Sequence, residues 1–164
     1  MCQHAVQFYE NDRFLCDEVA RFVHDGLRAG ESVVVIATRP HRDAIESELK
    51  QQARFEDSLP AGGAKLIWRD ADDVLSALLV NGWPDAARCK DVLGALVDEA
   101  SESGKVPARV FGEMVAVLCA AGNPEAALRL EQLWNELAGH HAFSLRCAYP
   151  TRVFTGEEGR QAFH

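Results

Sequence analysis

The stretch Phe111-Gly112-Glu113-Met114 is the sharpest place for chemistry in this sequence. A glycine lets backbone approach a ligand closely, and the carboxylate after it opens an apolar helical stretch. There it either caps that helix against the positive end of its dipole or anchors a pocket. Glu10 and His41 have the right chemistry to join it as acid or base. Thr38, Arg39 and His41 have the composition to hold a small anion at a helix start. The plainer account is that an arginine and a histidine at a helix end are simply solvated. Helical spacing puts Glu131, Trp134 and Asn135 on neighbouring turns. A tryptophan beside a carboxylate and an amide can line a mostly apolar pocket with a few polar anchors. Otherwise Trp134 is core and Asn135 a local cap.

Absent patterns narrow the field. Residues 32–37 are followed by Thr38-Arg39-Pro40-His41-Arg42. A phosphate loop needs a glycine-rich turn and Gly-Lys-Ser/Thr, whose amides and lysine hold the phosphates. Here there is no glycine and no lysine, and Pro40 removes an amide donor. No ATP hydrolysis of the usual kind is expected. Neither G-x-S-x-G nor H-E-x-x-H occurs. His24 lies in the last turns of the first helix and the pair His140-His141 follows another, at carboxyl ends where cationic side chains are favoured. His4 reads as a strand-end histidine satisfied by backbone. The five cysteines, Cys2, Cys16, Cys89, Cys119 and Cys147, are an odd number with wide gaps and no C-x-x-C. Neither a zinc knuckle nor a thioredoxin-type pair is indicated, and free thiols are expected. Cys119 and Cys147 read as small core residues, while Cys2 and Cys16 approach each other only if the first strand and first helix pack together. No metal and no cofactor is expected.

These groups must be positioned by elements that the hydrophobic pattern makes visible. Strands are expected over 5–9, 32–37, 65–68, 108–111 and 143–149. Helices are expected over 12–27, 41–54, 70–79, 86–103, 113–121 and 125–139. Gly26 and Gly30 punctuate the end of the first helix, Pro60-Ala61-Gly62-Gly63 marks a loop, and Gly82-Trp83-Pro84-Asp85 breaks the third helix. The run 32–37 lacks alternation and is β-branched, so it reads as a strand buried on both faces. Strands alternate with helices throughout. The fold class is therefore α/β, a mainly parallel sheet with helices on both faces. In such sheets ligands bind beyond the carboxyl ends of the strands. Tyr9, Glu10 and Asp12, then Thr38, Arg39 and His41, then Arg69, Asp70 and Asp72, then Gly112 and Glu113, then Tyr149 and Pro150 should gather on that rim.

At 164 residues the chain is the size of one domain. With 48% apolar and 26% charged residues, disorder and fibrous repeats are excluded. The net charge of −8, with no basic cluster, argues against nucleic acid as a partner. The longest apolar run, 114–121, is less than half of the roughly 20 residues a membrane span needs. Met1-Cys2-Gln3-His4 opens no basic-then-apolar leader, and a cytoplasmic location is expected.

Several ordered blocks resemble one family. They are His4-Ala5-Val6-Gln7-Phe8-Tyr9-Glu10, Gly26-Leu27-x-x-Gly30-Glu31, and Ile36-Ala37-Thr38 with His41. In the second half come Arg109-Val110-Phe111-Gly112-Glu113-Met114-Val115, Gly122-Asn123, Ala126-Ala127-Leu128-Arg129-Leu130-Glu131, Leu133-Trp134-Asn135-Glu136-Leu137, and Phe143-Ser144-Leu145-x-Cys147-Ala148-Tyr149-Pro150. The chain resembles the MEDS domain, the methanogen/methylotroph DcmR sensory domain, over residues 4–150, with only a loose match over 52–106. The resemblance implies a RecA/KaiC-like α/β domain without a P-loop, acting as a sensor of small hydrocarbon-derived compounds. Family members stand alone or are fused to histidine kinases and DNA-binding regulators. Neither fused part is recognisable here, which implies output through a protein partner or a homodimer.

The expectation is thus a cytoplasmic, non-enzymatic sensory domain over 1–150 with a polar tail over 151–164. Its small-molecule ligand would meet Tyr9, Glu10, Thr38, His41, Glu113 and Trp134. The rivals are a small acid/base enzyme using Glu10, His41 or Glu113, and a ligand-free adaptor.

Overall fold

The chain is described by a computed structural model covering residues 3–52 and 63–154. The order of elements is β1 (His4–Tyr9), α1 (Asp12–Arg28), β2 (Ser32–Ala37), α2 (Arg39–Gln51), β3 (Leu66–Asp70), α3 (Ala71–Leu78), β4 (Leu79–Val80), β5 (Trp83–Pro84), α4 (Ala86–Ser101), β6 (Ala108–Gly112), α5 (Met114–Ala120), α6 (Pro124–Ala138) and β7 (Ser144–Pro150). One 3-10 turn, Thr151–Phe154, follows. The loop residues Pro60-Ala61-Gly62 and the expected end of the second helix at Arg54 lie outside the described residues. So do Cys2, His164 and the tail beyond 154.

Five strands form one sheet in the order β1-β7-β6-β2-β3, and every neighbouring pair is parallel. Interior strand β2 is buried at all six positions, as its run of β-branched residues requires. Val33, Val35 and Ala37 pack with Leu15, Val19, Val23 and Ile45 from α1 and α2. Val34 and Ile36 pack on the other face with residues from α3 to α6, among them Leu78, Leu93, Leu118 and Leu130. The chain leaves β2 through α2 toward β3, and leaves β6 through α5 and α6 toward β7 in the opposite direction. The carboxyl ends of β2 and β6, adjacent in the sheet, are therefore the topological switch point.

Most helix starts are capped from within. Asn11, Asp70, Asp85 and Asn123 each accept a backbone N–H three residues on, at 2.8 to 3.2 Å. Thr38 before α2 and Glu113 before α5 make no such bond to their own helices. These two exceptions stand at the switch point.

Three local readings need correction. The break after α3 is a small antiparallel hairpin, β4 with β5, turned by Asn81 and Gly82 at φ 52° and 77°. Asn-Gly is the residue pair that such a turn demands, and its flanking strands are too short to show alternation. Helix α2 begins at Arg39, two residues earlier than expected, because Pro40 suits the first helical turn. Gly26 does not punctuate α1. It lies inside the helix, buried, while Gly30 at φ +79° makes the actual exit.

Candidate functional site

Glu113 is almost wholly buried, with 1% of its surface exposed. Its own helix does not use the carboxylate. One oxygen, Oε1, accepts the Thr38 N–H at the amino end of α2. The other, Oε2, lies 2.6 Å from His41 Nδ1. Thr38 is the single residue between β2 and α2. The Glu113 side chain thus lies at a helix amino terminus, the kind of place where nucleotide-binding α/β folds in general hold phosphate. The protein supplies its own anion there.

His41 is held from both sides, because its Nε2 lies 3.1 Å from Oδ1 of Asp12, the first residue of α1. The result is a relay, Glu113–His41–Asp12, running from the buried sheet edge to an exposed carboxylate. Tyr9, at the end of β1, meets the His41 ring edge-on at 6.5 Å between centroids. Cys16 Sγ approaches the His41 carbonyl oxygen at 4.0 Å. The bond to Glu113 raises the imidazole pKa above its ordinary 6.5, against the opposing effect of burial, and Asp12 adds to the rise. Burial, then the charges of Glu113 and Asp12, push the Tyr9 phenol above its ordinary range and the Cys16 thiol up to about 11. Both are therefore neutral at physiological pH. A cavity of about 350 Å³ opens on this relay between α1 and α2, with Asp12, Cys16, Asp17, Pro40, His41 and Glu48 in its wall.

Of the expected rim residues, Tyr9, Thr38, His41 and Glu113 come together. Glu10 is exposed and stands outside the relay. Trp134 is not on the rim. It is buried in the core of the opposite face, tilted against Phe143 at 5.9 Å. Its helical neighbours Glu131 and Asn135 turn to His4 instead. His4 Nδ1 lies 2.7 Å from Asn135 Oδ1 and Nε2 2.7 Å from Glu131 Oε2, so His4 is tied to side chains and not to backbone. Tyr149 donates its hydroxyl to Glu131 Oε1 at 3.2 Å. Asp70 caps α3 and Arg69 pairs with Glu99 at 3.0 Å, which accounts for both without a ligand. Asp12 is the member of the relay that sequence reasoning placed on the rim but not among the ligand residues. Its only signal was its place after Tyr9-Glu10-Asn11.

Glu113 and His41 of the relay fall in the blocks that resemble one family, Asp12 just beyond the first of them, and a family model described as the methanogen/methylotroph, DcmR sensory domain matches residues 3–164. The chain belongs to the MEDS family. No curated protein matches it. In this MEDS domain the blocks have physical partners. Gly26, Glu31 and Arg109 meet one another, with Arg109 Nε 2.5 Å from Glu31 Oε2 and Nη1 donating to the Phe22 carbonyl at 3.1 Å. Gly112, Glu113, Thr38 and His41 form the switch-point group. No helix among the described residues is long and apolar enough to cross a membrane.

Proposed function

We propose that this MEDS domain is a cytoplasmic sensor that takes a small organic, hydrocarbon-derived compound into the crevice beside His41, with Tyr9, Thr38 and Glu113 as further contacts. The observation that carries this reading is the buried Glu113 carboxylate shared between the Thr38 amide and His41. It joins β6, β2 and α2 at one point, and through Asp12 it reaches α1. A ligand that displaces Asp12 or re-orients His41 would change how α1 and α2 sit on the sheet, and a protein partner can read that change. His41 has both ring nitrogens committed to carboxylates, which leaves neither free to take a substrate's proton. That favours a sensor over an acid/base enzyme.

The cavity wall contributes carboxylates, an imidazole and a thiol, so a polar head on a short carbon skeleton suits it. A second seat has its own support. A groove of about 270 Å³ between α4 and α6 is lined by Cys89, Leu133 and Leu137, and its apolar wall suits the hydrocarbon part of a ligand.

A panel of short-chain alcohols, methylated amines and halogenated methanes, screened by amide chemical-shift mapping, tests the assignment. Saturable shifts centred on Thr38 to His41, lost in Glu113→Gln, are expected. Shifts centred on Cys89 and Leu137 would move the seat to the groove. No saturable shift from any compound would sink the sensor reading for these ligand classes.

A further inference from the structure

Away from the crevice, His4 on β1, Glu131 on α6 and Cys147 on β7 bring an imidazole nitrogen, a carboxylate oxygen and a thiol sulfur within 4.8 Å of one another. Among the described residues this is the group that could hold a metal ion. Its surroundings are built as a metal site's outer shell is built. Asn135 Oδ1, 2.7 Å from Nδ1 of His4, holds a proton on that nitrogen, so Nε2 is the ring atom turned toward the group. The Tyr149 hydroxyl holds Oε1 of Glu131, which turns the other oxygen toward the group. His4 Nε2 is shut off from solvent, and Glu131 Oε2 is 2.7 Å away. With the site empty a proton lies between these two atoms, and a cation bound there would take that proton's place.

We propose that His4, Glu131 and Cys147 form a binding site for a borderline divalent cation, with Zn²⁺ as the best fit. The donor set decides the class. A thiolate excludes magnesium and calcium, which take oxygen ligands. A carboxylate is a poor ligand for copper(I), which prefers sulfur. Nitrogen, oxygen and sulfur are each zinc ligand types, and three protein ligands are the number found in tetrahedral zinc sites with an open fourth position. Charge agrees as well: the ion's two positive charges meet one thiolate and one carboxylate, leaving a neutral centre for a buried location. On binding, the Cys147 thiol proton and the proton held between His4 Nε2 and Glu131 Oε2 leave to solvent, and metal–sulfur, metal–nitrogen and metal–oxygen bonds replace them. The His4 side chain is 17% exposed, while Cys147 is buried at 1%, so His4 is the ligand nearest solvent. The ligands come from residues 4, 131 and 147, a separation that shows none of the close spacing of a C-x-x-C motif. The ion would clasp edge strand β1 to β7 and α6.

Cobalt(II) tests the site directly. The full chain, stripped with a chelator under reducing conditions, is titrated with Co²⁺ and read by absorption. One equivalent should produce a thiolate-to-cobalt band in the near ultraviolet and visible bands of tetrahedral intensity, and one equivalent of Zn²⁺ should abolish them. Cys147→Ser should remove the thiolate band, and Asn135→Ala should weaken Co²⁺ binding by about 10- to 100-fold through loss of ring orientation. Should the buried serine variant fail to fold, His4→Gln at the sheet margin decides, and it should weaken binding at least as much as Asn135→Ala. Absence of saturable bands in the wild-type chain would overturn the proposal. So would bands that survive His4→Gln unchanged, or that vanish in Cys16→Ser.

Discussion

His41 stands between a buried carboxylate and an exposed one, and its protonation is the variable the site controls. The Glu113 bond raises its folded pKa above the unfolded 6.5. Below 6.5 the ring is charged in both states and the contact contributes its full stabilisation. As pH rises through the raised folded value, the imidazolium is lost and the contribution goes with it. Urea unfolding of the wild type should therefore lose stability, relative to His41→Asn, as pH is raised above 6.5. A stability difference that stays flat or grows with pH would contradict the assignment. Glu113→Gln keeps an oxygen for the Thr38 amide but loses the charge. It should bring the His41 titration, read by NMR, back toward 6.5 and cost about 1–3 kcal/mol.

At the scale of elements, α1 is seated on the sheet by a glycine. A methyl group at Gly26 would lie 2.7 Å from Arg109 Cδ and 2.8 Å from Val33 Cγ2. Arg109 has little room to yield. Its guanidinium is tied to Glu31 and the Phe22 carbonyl, and stacks over the Phe22 ring at 4.8 Å. Helix propensity alone would make Gly26→Ala a gain of about 1 kcal/mol. The collision should reverse that sign and give a loss of about 1–3 kcal/mol in urea unfolding. A neutral or stabilised variant would show that α1 shifts freely against β2 and β6, and would remove the basis for coupling the crevice to its helices.

For the whole molecule, the output surface is the question. β1 is an edge strand, and Val6 and Phe8 project from one face of it at 40% and 46% exposure. We expect a symmetric dimer using this edge. Because each protomer carries a net charge of −8, association should strengthen as salt screens the repulsion. Sedimentation should show a dimer at high micromolar concentration that Phe8→Glu dissociates. A wild-type monomer at every salt concentration would leave signalling to a different protein partner.

Much of this protein was determined locally. The β-branched run 32–37 had to be a strand buried on both faces, and the alternation of periodic segments had to give a parallel sheet with two covered faces, because each apolar face needs a layer against it. Tyr9, Thr38, His41 and Glu113 were legible as rim residues, since strand ends of a parallel sheet share one edge. Which strand neighbours which was decided only in three dimensions. Strand order put β6 beside β2 and so gave Glu113 the Thr38 amide, a contact spanning 75 positions. The same folding carried Trp134 to the opposite face, because helical periodicity says which residues share a side of α6 but not what that side meets. It also brought His4 to Glu131 and Cys147. Their separation in sequence carries no pattern, and their approach depends on β1 pairing with β7 beneath α6.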